Sequence, residues 1–182
     1  DLVIQATSYM FPPLRKDKTK IGQNNRFNAE DAALYGAYIS AYSNGFDRFK
    51  DYIESGQLAL YDADDDCGVV EGDHMRCRAG ITSFWMTWEG KMLPCGMIPD
   101  KGKDPWEAGF DEAWENAKNI VSDITLPVKC AGCGKKDECR ACAAMVYTET
   151  GTYDKVPQYR CEMTKNYPEA CKKVLKELEQ QL

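Results

Sequence analysis

Histidine is nearly missing from this chain, which has a single one, His74, in 182 residues. A zinc site built on imidazole, or a His-based acid–base centre, has almost nothing to draw on. Long apolar runs are missing too: none approaches the roughly 18 residues of a membrane-spanning helix, and no leader of the export type opens the chain. No membrane partner is expected. Positive charge is short, with 23 Lys and Arg against 29 Asp and Glu, a net charge of −6 and a pI near 4.9. The basic residues are scattered, which argues against a general nucleic-acid binder. The chain also lacks an initiator Met and runs directly from Asp1 into the β-type stretch Leu2-Val3-Ile4. A strand needs a partner and nothing precedes this one, so the chain reads as a piece of a longer protein.

What is present is core and cysteine. Hydrophobic residues make up 43% of the chain, enough for one large domain or two small ones. The cysteines are Cys67, Cys77, Cys95, Cys130, Cys133, Cys139, Cys142, Cys161 and Cys171. Nine is an odd number, which weakens a purely disulfide account, and disulfide-dense domains are usually small and poor in core. Cysteines separated by two residues have metal-ligand spacing, because one tight turn brings both sulfurs to one ion or cluster. That spacing occurs at Cys130/Cys133 and again at Cys139/Cys142. Paired zinc motifs usually hold a longer ribbon between the pairs, whereas only GKKDE intervenes here. Gly96, Gly132 and Gly134 let backbone N–H groups approach sulfur closely. Arg78, Lys129, Lys135, Lys136 and Arg140 stand beside cysteines and suit an anionic group. The balance favours iron–sulfur, with zinc the alternative.

The stretch CRAGITSFWMTWEGKMLPCGM carries a second motif. Phe84, Met86 and Trp88 alternate with Trp85, Thr87 and Glu89, the pattern of a half-buried strand. A two-residue turn at Glu89-Gly90 predicts a hairpin in which Lys91 to Cys95 return and Cys95 falls opposite about Phe84. Gly80 is placed to bend the chain so that Cys77 approaches Cys95. Cys171 is left out of any ligand set. It shares a helical stripe with Val174, Leu175, Leu178 and Leu182, with Pro168 expected in the first turn, and a thiol on such a stripe is usually a packing residue.

Taken in order, these residues resemble the SPASM auxiliary-cluster domain of radical SAM enzymes. That signature runs Cys, nine to fifteen residues, Gly, four residues and Cys, then C-x2-C-x5-C-x3-C and a last Cys. Here Cys77, twelve residues, Gly90, four residues and Cys95 match the first half. Cys130, Cys133, Cys139 and Cys142 match the second with one residue fewer in the last spacing, and Cys161 closes it.

The resemblance implies two [4Fe–4S] clusters with interleaved ligands. Cys130, Cys133, Cys139 and Cys161 would hold the outer one. Cys77, Cys95 and Cys142 would hold the inner one, with Cys67 as candidate fourth ligand. It implies an α+β fold, with residues 1–64 the end of a partial (β/α) barrel, 65–165 the cysteine domain and 166–182 a terminal helix. It further implies a peptide or protein substrate, an electron donor or acceptor protein, the missing barrel of the same chain as partner, and a reducing cytoplasm. No cysteines stand in C-x3-C-x2-C spacing, so S-adenosylmethionine and a third cluster would belong to the full-length protein, and this piece alone is expected to be inactive. Sulfatase maturases carry an acidic residue directly after the hairpin's second cysteine. Gly96 stands there instead, which turns the expectation toward peptide crosslinking. The rival class is a zinc-stabilised structural or peptide-binding module without a redox role.

Elsewhere, Tyr9, Met10 and Arg15 are candidates to face a substrate from a barrel loop. Asn28 predicts a helix to about Ser43 that ends at Asn44-Gly45, followed by a second helix carrying Phe46, Phe49 and Ile53. DPWEAGFDEAWENAKNIV predicts a helix capped at Asp104 that buries Trp106, Phe110, Trp114 and Ala117.

Overall fold

The structure, a computed structural model, describes residues 6–10, 26–56, 78–98, 101–139 and 141–181. Its elements in chain order are α1 (Ala29–Asn44), α2 (Phe46–Glu54), β1 (Trp85–Met86), β2 (Met92–Leu93), α3 (Pro105–Ala108), α4 (Phe110–Ser122), α5 (Val128–Ala131), α6 (Lys136–Cys139), α7 (Ala143–Thr150) and α8 (Gln158–Glu179). Helices with one small antiparallel sheet make it an α+β chain. It divides into two compact units. One comprises Asp1–Ala63, Asp137–Cys139 and Pro157–Leu182; the other comprises Asp64–Lys136 and Arg140–Val156.

In the first unit α1 forms where its cap predicts. Asn28 accepts the Asp31 N–H at 2.8 Å, and Gly45 turns the chain into α2 at φ 84°. The inner face of α1 is almost all small: Ala32, Ala33, Ala37 and Ala41 are buried. Small side chains let α8 approach closely. Helix α8 fills the space with Met163, Tyr167, Cys171 and Val174, and each large apolar side chain so buried contributes about 1.5–3 kcal/mol. Phe49 of α2 is buried as well.

Helix α8 begins at Gln158, so Pro168 lies inside it rather than in its first turn. Proline has no N–H to offer the Thr164 carbonyl and is costly at such a place. The helix continues because Arg160, Met163, Thr164 and Tyr167 extend the buried row of Cys171 and Val174 back by about three turns. The strand expected at the start of the chain falls on residues 1–5, outside the described residues, and residues 6–10 form neither strand nor helix.

In the second unit the hairpin pairs Trp85 with Leu93 and Met86 with Met92. That register is one residue off the expected one, because the loop has three residues, Trp88, Glu89 and Gly90. Thr87 N–H donates to the Lys91 carbonyl at 2.9 Å, Gly90 N–H donates to the Thr87 carbonyl at 3.0 Å, and Gly90 takes φ 79°. This is the turn-plus-bulge solution for a three-residue loop. Trp88 therefore sits exposed at the loop tip instead of on a strand face.

The helix predicted from Asp104 is two helices. Asp104 does cap α3, accepting the Trp106 N–H at 2.9 Å. Gly109 then breaks the helix at φ 87°, a conformation open to glycine and costly for other residues. The restart changes the phase, so α4 buries Ala113, Ala117 and Val121. Of the aromatic stripe expected inside, Trp106 is 78% exposed, Phe110 is exposed and Trp114 is half-buried. Phe84 meets Phe110 and Trp114 edge-on, with ring centroids 5.8 and 5.9 Å apart.

Candidate metal centre

Cys95 follows β2 in the second unit. Carried outward, the observed register sets it across from Ser83 rather than Phe84. Gly80 bends the chain there at φ 72°, its N–H donating to the Ser83 carbonyl at 2.9 Å. The Cys95 thiol is half-buried, and the Met97 N–H donates to its Sγ at 3.4 Å. Cys142 precedes α7 as its N-cap, at the end of a helix that favours negative charge. Forty-seven positions separate the two in sequence, yet both pack on one apolar cluster formed by Ile98, Val121, Ile124 and Ala143.

Cys130 and Cys133 share a tight turn. The Cys130 N–H donates to the Pro127 carbonyl at 2.7 Å, and the Cys133 N–H donates to the Cys130 carbonyl at 3.1 Å. The Lys135 N–H stands 3.5 Å from Cys133 Sγ as a donor, two residues on, as Met97 does for Cys95. In both cases the middle residue is a glycine, Gly134 or Gly96, and the backbone N–H approaches sulfur closely as expected at these glycines. Cys133 is exposed and Cys130 half-buried.

Cys139 ends α6, and Cys161 lies in the first turn of α8, its N–H donating to the Pro157 carbonyl at 3.0 Å. Between the two stands Arg160, 2% exposed. Its Nε donates to the Cys139 carbonyl at 3.0 Å and its Nη2 donates to the same oxygen. Its Nη1 reaches Met163 Sδ at 3.6 Å, and its charged carbon lies 5.9 Å from the centre of the Tyr9 ring. No carboxylate among the described residues pairs with this guanidinium. The sequence reading missed Arg160; the available signal was a basic residue directly in front of a candidate ligand.

Cys171 is a packing residue, as expected. It is 1% exposed, and burial pushes its thiol up to about 11, so it is neutral at physiological pH. Tyr9 is buried against Tyr159, with centroids 5.9 Å apart, and Met10 is exposed. Arg15, Cys67 and Cys77 lie outside the described residues.

Among the described residues no group of three or more His, Cys, Asp or Glu side chains is gathered closely enough to hold a metal ion. The donor chemistry nonetheless fits a thiolate-bound group. The sulfurs of Cys95 and Cys133 take backbone N–H donors, Cys95 and Cys142 share an apolar bed, and no carboxylate of the described residues competes at Arg160.

Trp85 is the second residue the sequence reading missed. Its indole lies over Gly96, where an added Cβ would stand 2.9 Å from the ring. An acidic side chain after Cys95 has no room while Trp85 keeps this place.

No family model matches the chain, and neither does any solved structure. Over 80 residues the chain is 34% identical to an AdoMet-dependent heme synthase of Methanosarcina barkeri (strain Fusaro / DSM 804). The match takes in 42% of this chain and 23% of that protein, so the chain matches under a quarter of its relative's length. No helix of the described residues is long and apolar enough to cross a membrane. The likeness is to an AdoMet-dependent enzyme and covers a minority of either chain.

Proposed function

We infer that the chain is the auxiliary-cluster part of a radical SAM enzyme that modifies a peptide or protein side chain. One observation carries the reading: Cys95 and Cys142, from different halves of the motif, rest on the same apolar cluster. The interleaved ligand order asks for that meeting, and a plain hairpin with two unrelated core cysteines does not. Cys95, Cys142, Cys77 and Cys67 hold the inner [4Fe–4S] cluster in this reading, and Cys130, Cys133, Cys139 and Cys161 hold the outer one. When bound, such clusters pass single electrons or ligate substrate, and N–H groups aimed at sulfur tune their potentials. The contribution of the chain is to fix the thiolates, aim those N–H groups and exclude water with the apolar bed under Cys95 and Cys142.

Anaerobic reconstitution with iron and sulfide, followed by iron counting and Mössbauer spectroscopy, tests this. About eight irons per chain in [4Fe–4S] form are expected. Tightly held zinc without iron uptake would leave the zinc-stabilised module instead. A second reading concerns the substrate. The likeness to a heme synthase makes a tetrapyrrole the alternative to a peptide, and saturable binding of protoporphyrin IX by the reconstituted protein would put that reading in place of the peptide one.

A further inference from the structure

In the first unit a cavity of about 200 Å³ opens beside α1 and α8, lined among others by Ser8, Gly36, Ser40, Asn44 and Arg160. Two of its polar groups are more than nine-tenths buried: Arg160, 2% exposed, and Ser8, 6% exposed. A guanidinium carries five N–H donors. Three contacts are made, two to the Cys139 carbonyl and one to Met163 Sδ, which leaves two N–H groups. The charge has no carboxylate partner among the described residues, and the Ser8 hydroxyl has no hydrogen-bond partner there. A buried cation without an anion costs several kcal/mol, and the Ser8 hydroxyl opens to the same cavity with its proton free to donate. Two such groups facing one cavity are the lining of an anion site. Among the described residues no acidic side chain lines it.

We propose that this cavity binds a small oxyanion, a carboxylate or phosphate group, received by the two remaining N–H groups of Arg160 and by the Ser8 hydroxyl. The fork of a guanidinium matches two oxygens of such a group. The Ser40 hydroxyl stands in the same wall and accepts the Asn44 Nδ2–H at 3.2 Å, which leaves its own proton to donate. The volume suits a small molecule rather than a large cofactor, since drug-sized ligands occupy roughly 300 Å³ or more. Because Arg160 also holds the Cys139 carbonyl, the anion fixes the side chain that positions that segment. The site does not depend on the reading of the cysteines as cluster ligands, and its test needs no metal.

Thermal unfolding of the full chain is followed in sodium acetate, sodium phosphate and sodium chloride at one ionic strength. Acetate, phosphate or both should raise Tm above chloride with a saturable concentration dependence, as a ligand of the native state does. Acetate alone assigns a carboxylate, phosphate alone a phosphoryl group, and both an oxyanion site open to either. Ser8→Ala removes one donor and leaves the bonds from Arg160 to Cys139 intact. It should fold and bind about tenfold more weakly, the loss of one hydrogen bond to a charged group. Gly36→Ala should also weaken binding, since a Cβ there would stand 3.0 Å from the Ser8 hydroxyl oxygen. Equal melting in all three salts, or an anion effect unchanged in Ser8→Ala, overturns the proposal.

Discussion

The indole of Trp85 lies directly on Gly96, with three ring atoms within 3.1 Å of where a Cβ would be. The space beside the residue after Cys95 is thereby filled by a side chain eleven positions earlier. The contact ties the hairpin to the Cys95 turn.

Gly96→Ala should displace the indole. The expected cost is at most about 1 kcal/mol, because Gly96 is exposed and the half-exposed indole can swing into solvent, and tryptophan emission should shift. Gly96→Asp should cost at least as much. If Trp85→Ala restores the stability of Gly96→Ala, the contact is the cause; if the double variant is simply the sum of the two, it is not.

Burial raises the Cys171 thiol from its ordinary 9.0 to about 11. The folded value lies above the unfolded one, so this contribution is whole below pH 9 and fades as pH rises toward 11. Urea unfolding of the parent and of Cys171→Ala across that range should show a steeper alkaline loss in the parent. Parallel curves would mean that the thiol ionises as easily folded as unfolded.

The Asp104 carboxyl is held below its ordinary value, first by the Trp106 N–H it accepts and then by Lys91, whose ammonium is 3.4 Å away. A lowered folded value gives a contribution that is present above pH 3.8 and is lost as pH falls below it. Trp106 emission in acid should therefore report loosening of α3. Asp104→Asn keeps a capping oxygen but does not titrate, and its emission should be flatter over the same range.

If the proposed ligand assignment holds, Cys142→Ala should lower the iron taken up on reconstitution from about eight to about four per chain, since in that assignment it removes a ligand of the inner cluster alone. Iron removed by a chelator should lower Tm, because metal bound by the folded chain contributes to its stability. Cys171→Ala should leave the iron count unchanged.

Much of the local structure was legible in the sequence. Asn28, Asn44-Gly45 and Asp104-Pro105 mark helix ends through bonds made within a few residues. Cys171 was recognisable as packing from its helical row. The aromatic stripe at Trp106, Phe110 and Trp114 was misread because one glycine, Gly109, resets the helical phase. The hairpin register slipped by one because Glu89-Gly90 suits a two-residue or a three-residue loop equally well in sequence. Arg160 was overlooked because nothing in its neighbours announces that it is buried.

The sequence by itself determined the caps, the cysteine spacings and the exclusion of Cys171, all of which rest on neighbours a few positions apart. Only the tertiary structure decided that Cys95 and Cys142 share one apolar bed, that Trp85 covers Gly96 and that Arg160 and Ser8 face one cavity. Those meetings depend on which helix faces pack together. That choice follows from the total apolar area removed from water across the chain, and no local pattern encodes it.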